Sequence, residues 1–182
     1  MSAPAGAPWT IRLRAAEDLP ALAEVLAAQQ AVADYPVQWP LPVPVEDFLV
    51  RAREEAAWVA VRNGRPVGHV TVQRVVDDPD GVGATWAAAT GVGVARMAEV
   101  AVLFVAADLR GTGVGGALLD VAVDHIRHQG RTPVLDVVCT HQEVRAYYRR
   151  RGWEEVGEVA LDWLPVPITL LVLPPPAAGP AG

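Results

Sequence analysis

Residues Arg110-Gly111-Thr112-Gly113-Val114-Gly115-Gly116 place four glycines in seven positions, between an apolar run and an amphipathic one. Residues without side chains let the backbone turn sharply and aim several N–H groups the same way. Those donors, with the positive end of the dipole of a following helix, form a site for phosphate oxygens. Arg110 adds charge at the mouth. Fixing this many glycines is destabilising unless something occupies the bend; the plain alternative is a tight strand-to-helix turn. Two phosphate-bearing ligands compete for it. Gly111-x-Gly113-x-x-Gly116 matches the dinucleotide fingerprint, and Asp136 lies twenty residues on, where that fingerprint keeps a ribose-binding acid. Against an oxidoreductase of that type, Asp136 falls between Leu135 and Val137, in mid-strand rather than at a strand end. The chain after Gly130 offers one short helix and no further β-α-β half.

Other groups able to do chemistry are few. All fifteen basic residues are arginine. Without lysine there is no Schiff-base amine and no Walker-type phosphate loop. Cys139 is the single cysteine, which excludes an internal disulfide and a cysteine-based zinc site. No histidine is evidently paired with it, so a buried strand residue is favoured over a nucleophile. Of His69, His125, His128 and His141, only His125 and His128 lie close in sequence. No H-E-x-x-H pattern accompanies them, so they read as solvated helix-surface residues and no metal is expected. The formal charge of −6 argues against binding nucleic acid by phosphate neutralisation. It mildly favours cationic substrates.

The elements that must position the glycine bend follow from periodicity and punctuation. Trp9–Arg14 reads as a strand, and Glu17-Asp18-Leu19-Pro20 as the start of a helix with acids and proline in its first turn. Tyr35 to Pro44 contains four prolines, so it is a shaped loop carrying Tyr35, Gln38 and Trp39. A second helix is predicted from Val45 to about Ala57. Trp58–Arg62 and Pro66–Val75 form a hairpin through Asn63-Gly64. Residues Asp77 to Val94, with Trp86 as the one large side chain, are predicted as a long functional or partly disordered loop. Met97–Val105 is a buried strand, and Val114–Gln129 a helix stopped by Gly130. Val134–Cys139 is a strand, His141–Arg151 a helix closed by Gly152, and Trp153–Leu161 and Ile168–Leu173 are two more strands. Residues 1–8 and the Pro/Ala/Gly tail 174–182 are predicted to be disordered, leaving one domain over residues 9–173. The fold class is α+β, with a central mixed, mostly antiparallel sheet flanked by about four helices.

Read as R-x-x-G-x-G from Arg110 to Gly115, the bend resembles the pyrophosphate motif of the GNAT family of acyl-CoA-dependent N-acyltransferases. Glu99-Val-Ala-Val-Leu-Phe-Val105, followed by Arg110-Gly-Thr-Gly-Val-Gly-Gly-Ala-Leu-Leu119, resembles that family's fourth strand, loop and third helix. His141 to Trp153, ending Ala-Tyr-Tyr-Arg-Arg-Arg-Gly-Trp, is similar to its terminal helix motif. The resemblance is specific over roughly Glu99 to Trp153. It implies a soluble, bacterial-type N-acetyltransferase using acetyl-CoA as co-substrate. The backbone of Leu103, Phe104 and Val105 would face the pantetheine arm and acyl carbonyl. The amides of Arg110, Gly111, Thr112, Gly113, Val114, Gly115 and Gly116 would hold the diphosphate. Tyr148 matches a tyrosine that protonates the departing thiolate, and Glu99 a carboxylate that acts as base, directly or through water. His141 stands where the family often has a cofactor-contacting asparagine, so that contact is altered.

An alkyl amine is neutral in only about one molecule in 2,500 at pH 7, so a proton acceptor is useful to the chemistry. The ordinary alternatives are a strand-edge Glu99 paired with arginine and a Tyr148 that is core. A non-catalytic acyl-CoA sensor is the competing class. The acceptor is a small-molecule or peptide amine. Neither nucleic acid nor membrane is expected as a partner, and a homodimer is left open. The N-terminus has no signal-peptide pattern and no stretch reaches the roughly 18 apolar residues of a membrane span, so the expected address is cytoplasmic.

Overall fold

The computed structural model describes residues 9–78 and 81–175. The disorder expected of residues 1–8, and of the tail beyond residue 175, falls outside them. The elements run β1 (Thr10–Leu13), α1 (Leu19–Ala33), α2 (Val45–Leu49), β2 (Glu54–Arg62), β3 (Arg65–Arg74) and α3 (Val82–Thr90), then β4 (Met97–Val105), α4 (Val114–His128), β5 (Thr132–Val138), α5 (Gln142–Arg150), β6 (Glu154–Val159) and β7 (Ile168–Val172). Strand order is β1-β2-β3-β4-β5-β7-β6. The β4–β5 pairing is parallel, whereas β1–β2, β2–β3, β5–β7 and β6–β7 are antiparallel, so the expected mixed, mostly antiparallel sheet is present.

The chain divides into two compact units. The first holds residues 9–74 together with Val100–His128. Its hairpin turns at Asn63 and Gly64, both at positive φ (52° and 76°), the conformation a two-residue turn needs to follow strand twist. One apolar cluster joins Leu22 and Leu26 of α1, Leu49 of α2, Val59 of β2, and Val102 and Phe104 of β4. On α4, Val114, Leu118, Leu119, Ala122, Val123 and Ile126 are buried, the stripe expected of a helix lying on a sheet. Gly130, just beyond its end, has φ 67°.

The second unit holds the described residues of 75–99 and 129–175. Val75, Trp86, Met97, Val134, Leu161, Ile168, Leu170 and Val172 form its core. β4 and β5 pair here from Met97 opposite Thr132 to Glu99 opposite Val134. Among the described residues, no helix is long and apolar enough to cross a membrane.

Two predicted elements are corrected. The second helix ends at Leu49 rather than near Ala57. Residues from Glu54 onward extend β2 instead, with Glu54 opposite Gln73 and Ala57 opposite Thr71, so a long partner strand overrides the helix propensity of Glu-Glu-Ala-Ala. The predicted loop over Asp77–Val94 contains α3, in which Trp86 is 1% exposed at the centre of the second core. Gly91 at φ 69° ends this helix, its N–H bonding the Ala87 carbonyl at 2.9 Å. Smaller shifts at the ends of β5, β6 and β7 are within the usual fraying of element boundaries.

Gly83 lets α3 seat. A Cβ there would lie 2.1 Å from the Val76 carbonyl oxygen, which is backbone and cannot rotate away. Gly83→Ala is expected to destabilise the protein by about 2 kcal/mol or more through this overlap. Gly93→Ala, where nothing lies within 4 Å of the added carbon, serves as control. Denaturant midpoints of the two variants check this; equal midpoints would contradict the packed helix.

Candidate functional site

In the first unit, β4 delivers the chain to the glycine bend. Leu103 and Val105 are half-buried, whereas the Phe104 ring enters the α1-side cluster, so its side chain is committed to that core. A short 3-10 turn, Ala107–Leu109, leads into the bend. Arg110, Gly111, Thr112 and Gly113 are exposed and Val114 is buried. Gly111 and Gly113 have φ 77° and 93°, a region that side chains disfavour. Nothing lies within 4 Å of where their Cβ atoms would be. These two glycines are therefore required by backbone conformation, and the space above them is open. The Thr112 hydroxyl is spent inside the loop, donating to the Leu109 carbonyl at 2.7 Å. The Gly113 carbonyl accepts from Ala117 N–H at 3.0 Å, opening α4. The first-turn amides of Val114, Gly115 and Gly116 have no intrahelical acceptor, as in any helix. The arrangement supplies donors and a positive dipole end at an exposed bend.

Gly68 of β3 sets how closely α4 approaches. A Cβ at Gly68 would sit 3.0 Å from Leu118 Cδ1, 3.1 Å from Val105 Cγ1 and 3.2 Å from the Phe104 carbonyl. A second close approach brings Val105 Cγ1 to 3.8 Å from the Cβ position of Gly115. Strand end and first helical turn are thus packed against each other.

Val102, inside β4, lies at φ 51°. For a β-branched residue this left-handed conformation is a true outlier costing about 1–2 kcal/mol. Its carbonyl lies 2.9 Å from His69 Nδ1. His69 Nε2 is 3.1 Å from an Arg14 Nη1. A guanidinium can only donate, so Nε2 is the acceptor, the ring is neutral, and Nδ1–H donates to Val102. Arg14 is locked in turn by Glu54, at 2.6 Å and 3.0 Å, and donates to the Leu49 carbonyl at 2.9 Å. Thr71 also donates to Glu54 at 3.3 Å. Sequence reasoning singled out none of this chain; the available signal was a lone histidine within the apolar run Val67-Gly68-His69-Val70.

The second unit carries Glu99, His141 and Tyr148 on three different segments. Glu99 is 8% exposed in β4, opposite Val134. Tyr148 of α5 is also 8% exposed. Gly152 at φ 85° closes this helix: its N–H bonds the Arg149 carbonyl at 3.0 Å, and Trp153 N–H bonds the Tyr148 carbonyl at 3.1 Å. That paired closure comes with an apolar contact across the turn, here the Tyr148 and Trp153 rings at 5.8 Å and 72°. Arg145 clamps α5 to β6 through Glu155 at 2.6 Å and 3.0 Å. The Arg145 hydrogen bond holds the Glu155 carboxyl below its ordinary value, against a smaller opposing effect of desolvation. His141 stands at the N-cap of α5, but its ring makes no capping bond.

Several expectations change. Trp86, expected in a loop, is a core residue. Tyr35 packs on the first core with its ring 6.2 Å from Phe48, whereas Gln38 and Trp39 are exposed. His125 is half-buried, edge-on to Trp58 at 5.1 Å, rather than solvated. Cys139 lies just past β5 and is half-buried. Asp136 is exposed in mid-strand, and antiparallel β7 and β6 follow where a Rossmann domain needs parallel strands.

Residues 23–153 match the profile of the acetyltransferase (GNAT) family, and the chain belongs to that family. An uncharacterised N-acetyltransferase of Methanocaldococcus jannaschii is 30% identical over 118 residues, covering 64% of this chain and 46% of that protein. The chain thus matches about half the length of that relative. Among solved structures, the ribosomal-protein-S18-alanine N-acetyltransferase from Escherichia coli superposes with a TM-score of 0.65 at 20% identity, over 94% of this chain and 97% of that one. An Arabidopsis thaliana protein in complex with the bisubstrate analogue CoA-Ac-MVNAL gives 0.61 at 16% identity, over 91% and 97%. These likenesses establish the fold.

Burial is the main cause that lowers His69 to about 4 from an ordinary 6.5; the Val102 carbonyl opposes it and the Arg14 charge adds to it. Between those values the unfolded chain binds a proton that the folded one does not. Stability therefore falls as pH drops from about 6.5 toward 4, by up to about 1 kcal/mol per pH unit from this group, and the contribution is flat above 6.5. Urea unfolding across this window should show that slope in the natural chain and lose most of it in His69→Asn.

Proposed function

We propose that this protein is an N-acetyltransferase moving the acetyl group of acetyl-CoA to a primary amine of a small molecule or peptide by direct attack. Family membership supports it, and the observation that carries it is the exposed bend from Arg110 to Gly116, with two glycines at positive φ under open space. The amides there hold the diphosphate, with Arg110 adding charge and His141 contributing to cofactor binding. The backbone of Leu103, Phe104 and Val105 receives the pantetheine arm and the acyl carbonyl.

The amine nitrogen attacks the thioester carbonyl; a C–N bond forms and the C–S bond breaks. Glu99 accepts the proton of the attacking nitrogen, directly or through water, and Tyr148 gives its hydroxyl proton to the thiolate. Solvent returns a proton from Glu99 to Tyr148 before the next turnover. A thiol is already a fair leaving group, near pKa 8.5 by analogy with cysteine, so the tyrosine's help is modest. We further read residues 9–173 as one catalytic domain of a cytoplasmic, bacterial-type enzyme. It works without a metal, binds neither nucleic acid nor membrane, and has self-association into a homodimer open to it.

Acetyl-CoA and coenzyme A should raise the melting temperature, and NAD should not, because stabilisation follows occupancy. Thiol release across an amine library then names the acceptor; release with none of the amines would favour a cofactor sensor. Gly113→Asp combines a strained φ with a charge facing phosphate, and should weaken acetyl-CoA binding by about tenfold or more by calorimetry. Unchanged affinity would remove the diphosphate assignment. Tyr148→Phe should lower kcat by about ten- to a hundredfold while leaving that affinity intact, at the low end of general acid catalysis.

A further inference from the structure

A β-strand residue in the left-handed region breaks the alternation of the strand and turns a carbonyl away from the regular ladder. Such a carbonyl, once buried, must find another donor. In β4 the residue is Val102 and the donor is His69 Nδ1, at 2.9 Å. His69 is wholly buried. Its other nitrogen meets Arg14 at 3.1 Å, and Arg14 is held through both terminal nitrogens by Glu54. Four residues from β2, the end of β1, β3 and β4 therefore form one polar chain that terminates on a single strained peptide. The surroundings are apolar: Phe104 lies beside the imidazole at 5.6 Å, and Leu22, Leu26, Leu49 and Val59 share the Val102 cluster.

A regular strand would carry neither this strain nor a turned-out carbonyl that needs a polar partner. Strain held in place by surrounding structure is typical of sites where backbone direction matters. The kink sits immediately before Leu103, Phe104 and Val105, and the chain rejoins β3 beyond it, Ala106 N–H bonding the Val67 carbonyl at 2.8 Å. The stretch whose direction the kink sets is thus pinned at both ends, by His69 and by Val67.

We propose that His69 is a positioning residue for acetyl transfer: by holding the Val102 carbonyl it fixes the direction in which the backbone of Leu103, Phe104 and Val105 meets the acyl-CoA. This rests on the reading that those backbone groups receive the cofactor. Arg14 and Glu54 act one step back, keeping the imidazole in the tautomer that donates from Nδ1.

The test compares two amides in the full-length protein. In His69→Asn the side-chain amide reaches the place of Nδ1 and still donates to Val102; in His69→Gln it reaches the place of Nε2 and leaves that carbonyl unmet. Acetyl-CoA affinity by calorimetry should be close to that of the natural chain in His69→Asn and about tenfold weaker in His69→Gln, the effect of one neutral hydrogen bond. With the amine named by the thiol-release screen, the KM for acetyl-CoA should rise in His69→Gln while the KM for the amine stays put. Val102→Gly, which tolerates positive φ, should recover affinity in the His69→Gln background even as the melting temperature falls further from lost packing. A merely structural role would move melting temperature and affinity together. Equal affinity in the Asn and Gln variants, or no recovery with Val102→Gly, overturns the positioning role alone. Failure of the natural chain to bind acetyl-CoA overturns the underlying reading, and this proposal with it.

Discussion

The bond from His69 Nδ1 to the Val102 carbonyl reconciles two demands that oppose each other. β4 must bury Val102 and Phe104 against α1, which favours a regular strand. Its backbone must also leave regularity at Val102, where φ is 51°. The turned-out carbonyl lies where water cannot reach, and an unmatched acceptor there would offset much of what the surrounding apolar burial contributes. A neutral imidazole answers that requirement with one N–H. The price is a chain of further commitments, since the second ring nitrogen needs Arg14 and the guanidinium needs Glu54.

The glycine bend depends on the same strand from its other side. Gly68 admits Leu118 and Val105 into close contact with β3, so the start of α4 is set by packing rather than by the loop. Gly111 and Gly113 then close the remaining distance in conformations that other residues adopt only under strain. In the second unit the positioning of Tyr148 follows a different logic. Gly152 closes α5, the Trp153 ring packs back on Tyr148, and Arg145 ties the helix to Glu155. A fixed aromatic and a fixed loop are thus built by separate devices in separate parts of the chain.

Much of this was legible in the residues. β4 and α4 were bounded well because an unbroken apolar run, a glycine cluster and a clear helical stripe meet there. The Asn63-Gly64 turn declared the hairpin. α3 was hidden because Gly81, Gly83, Gly91 and Gly93 punctuate it, and local glycine content reads as loop; only the socket under Val76 explains why Gly83 belongs inside a helix. The helix extended past Leu49 failed because Glu54–Ala57 answer to β3, a partner that no local pattern contains. His69 escaped notice for a related reason. Its role is defined by Arg14, 55 positions earlier, and Val102, 33 positions later; in sequence it is one polar letter in a strand.

The seat at Gly68 has a thermodynamic corollary. With Leu118, Val105 and the Phe104 carbonyl already 3.0 to 3.2 Å from the space a methyl would need, α4 is closely packed on β3, and on the proposed reading its start would have little freedom to surrender on binding a diphosphate. Ordering a floppy loop consumes free energy that would otherwise appear as affinity, so a donor array assembled in advance gives tighter capture from the same contacts. On the proposed reading, such an array would also discriminate by shape.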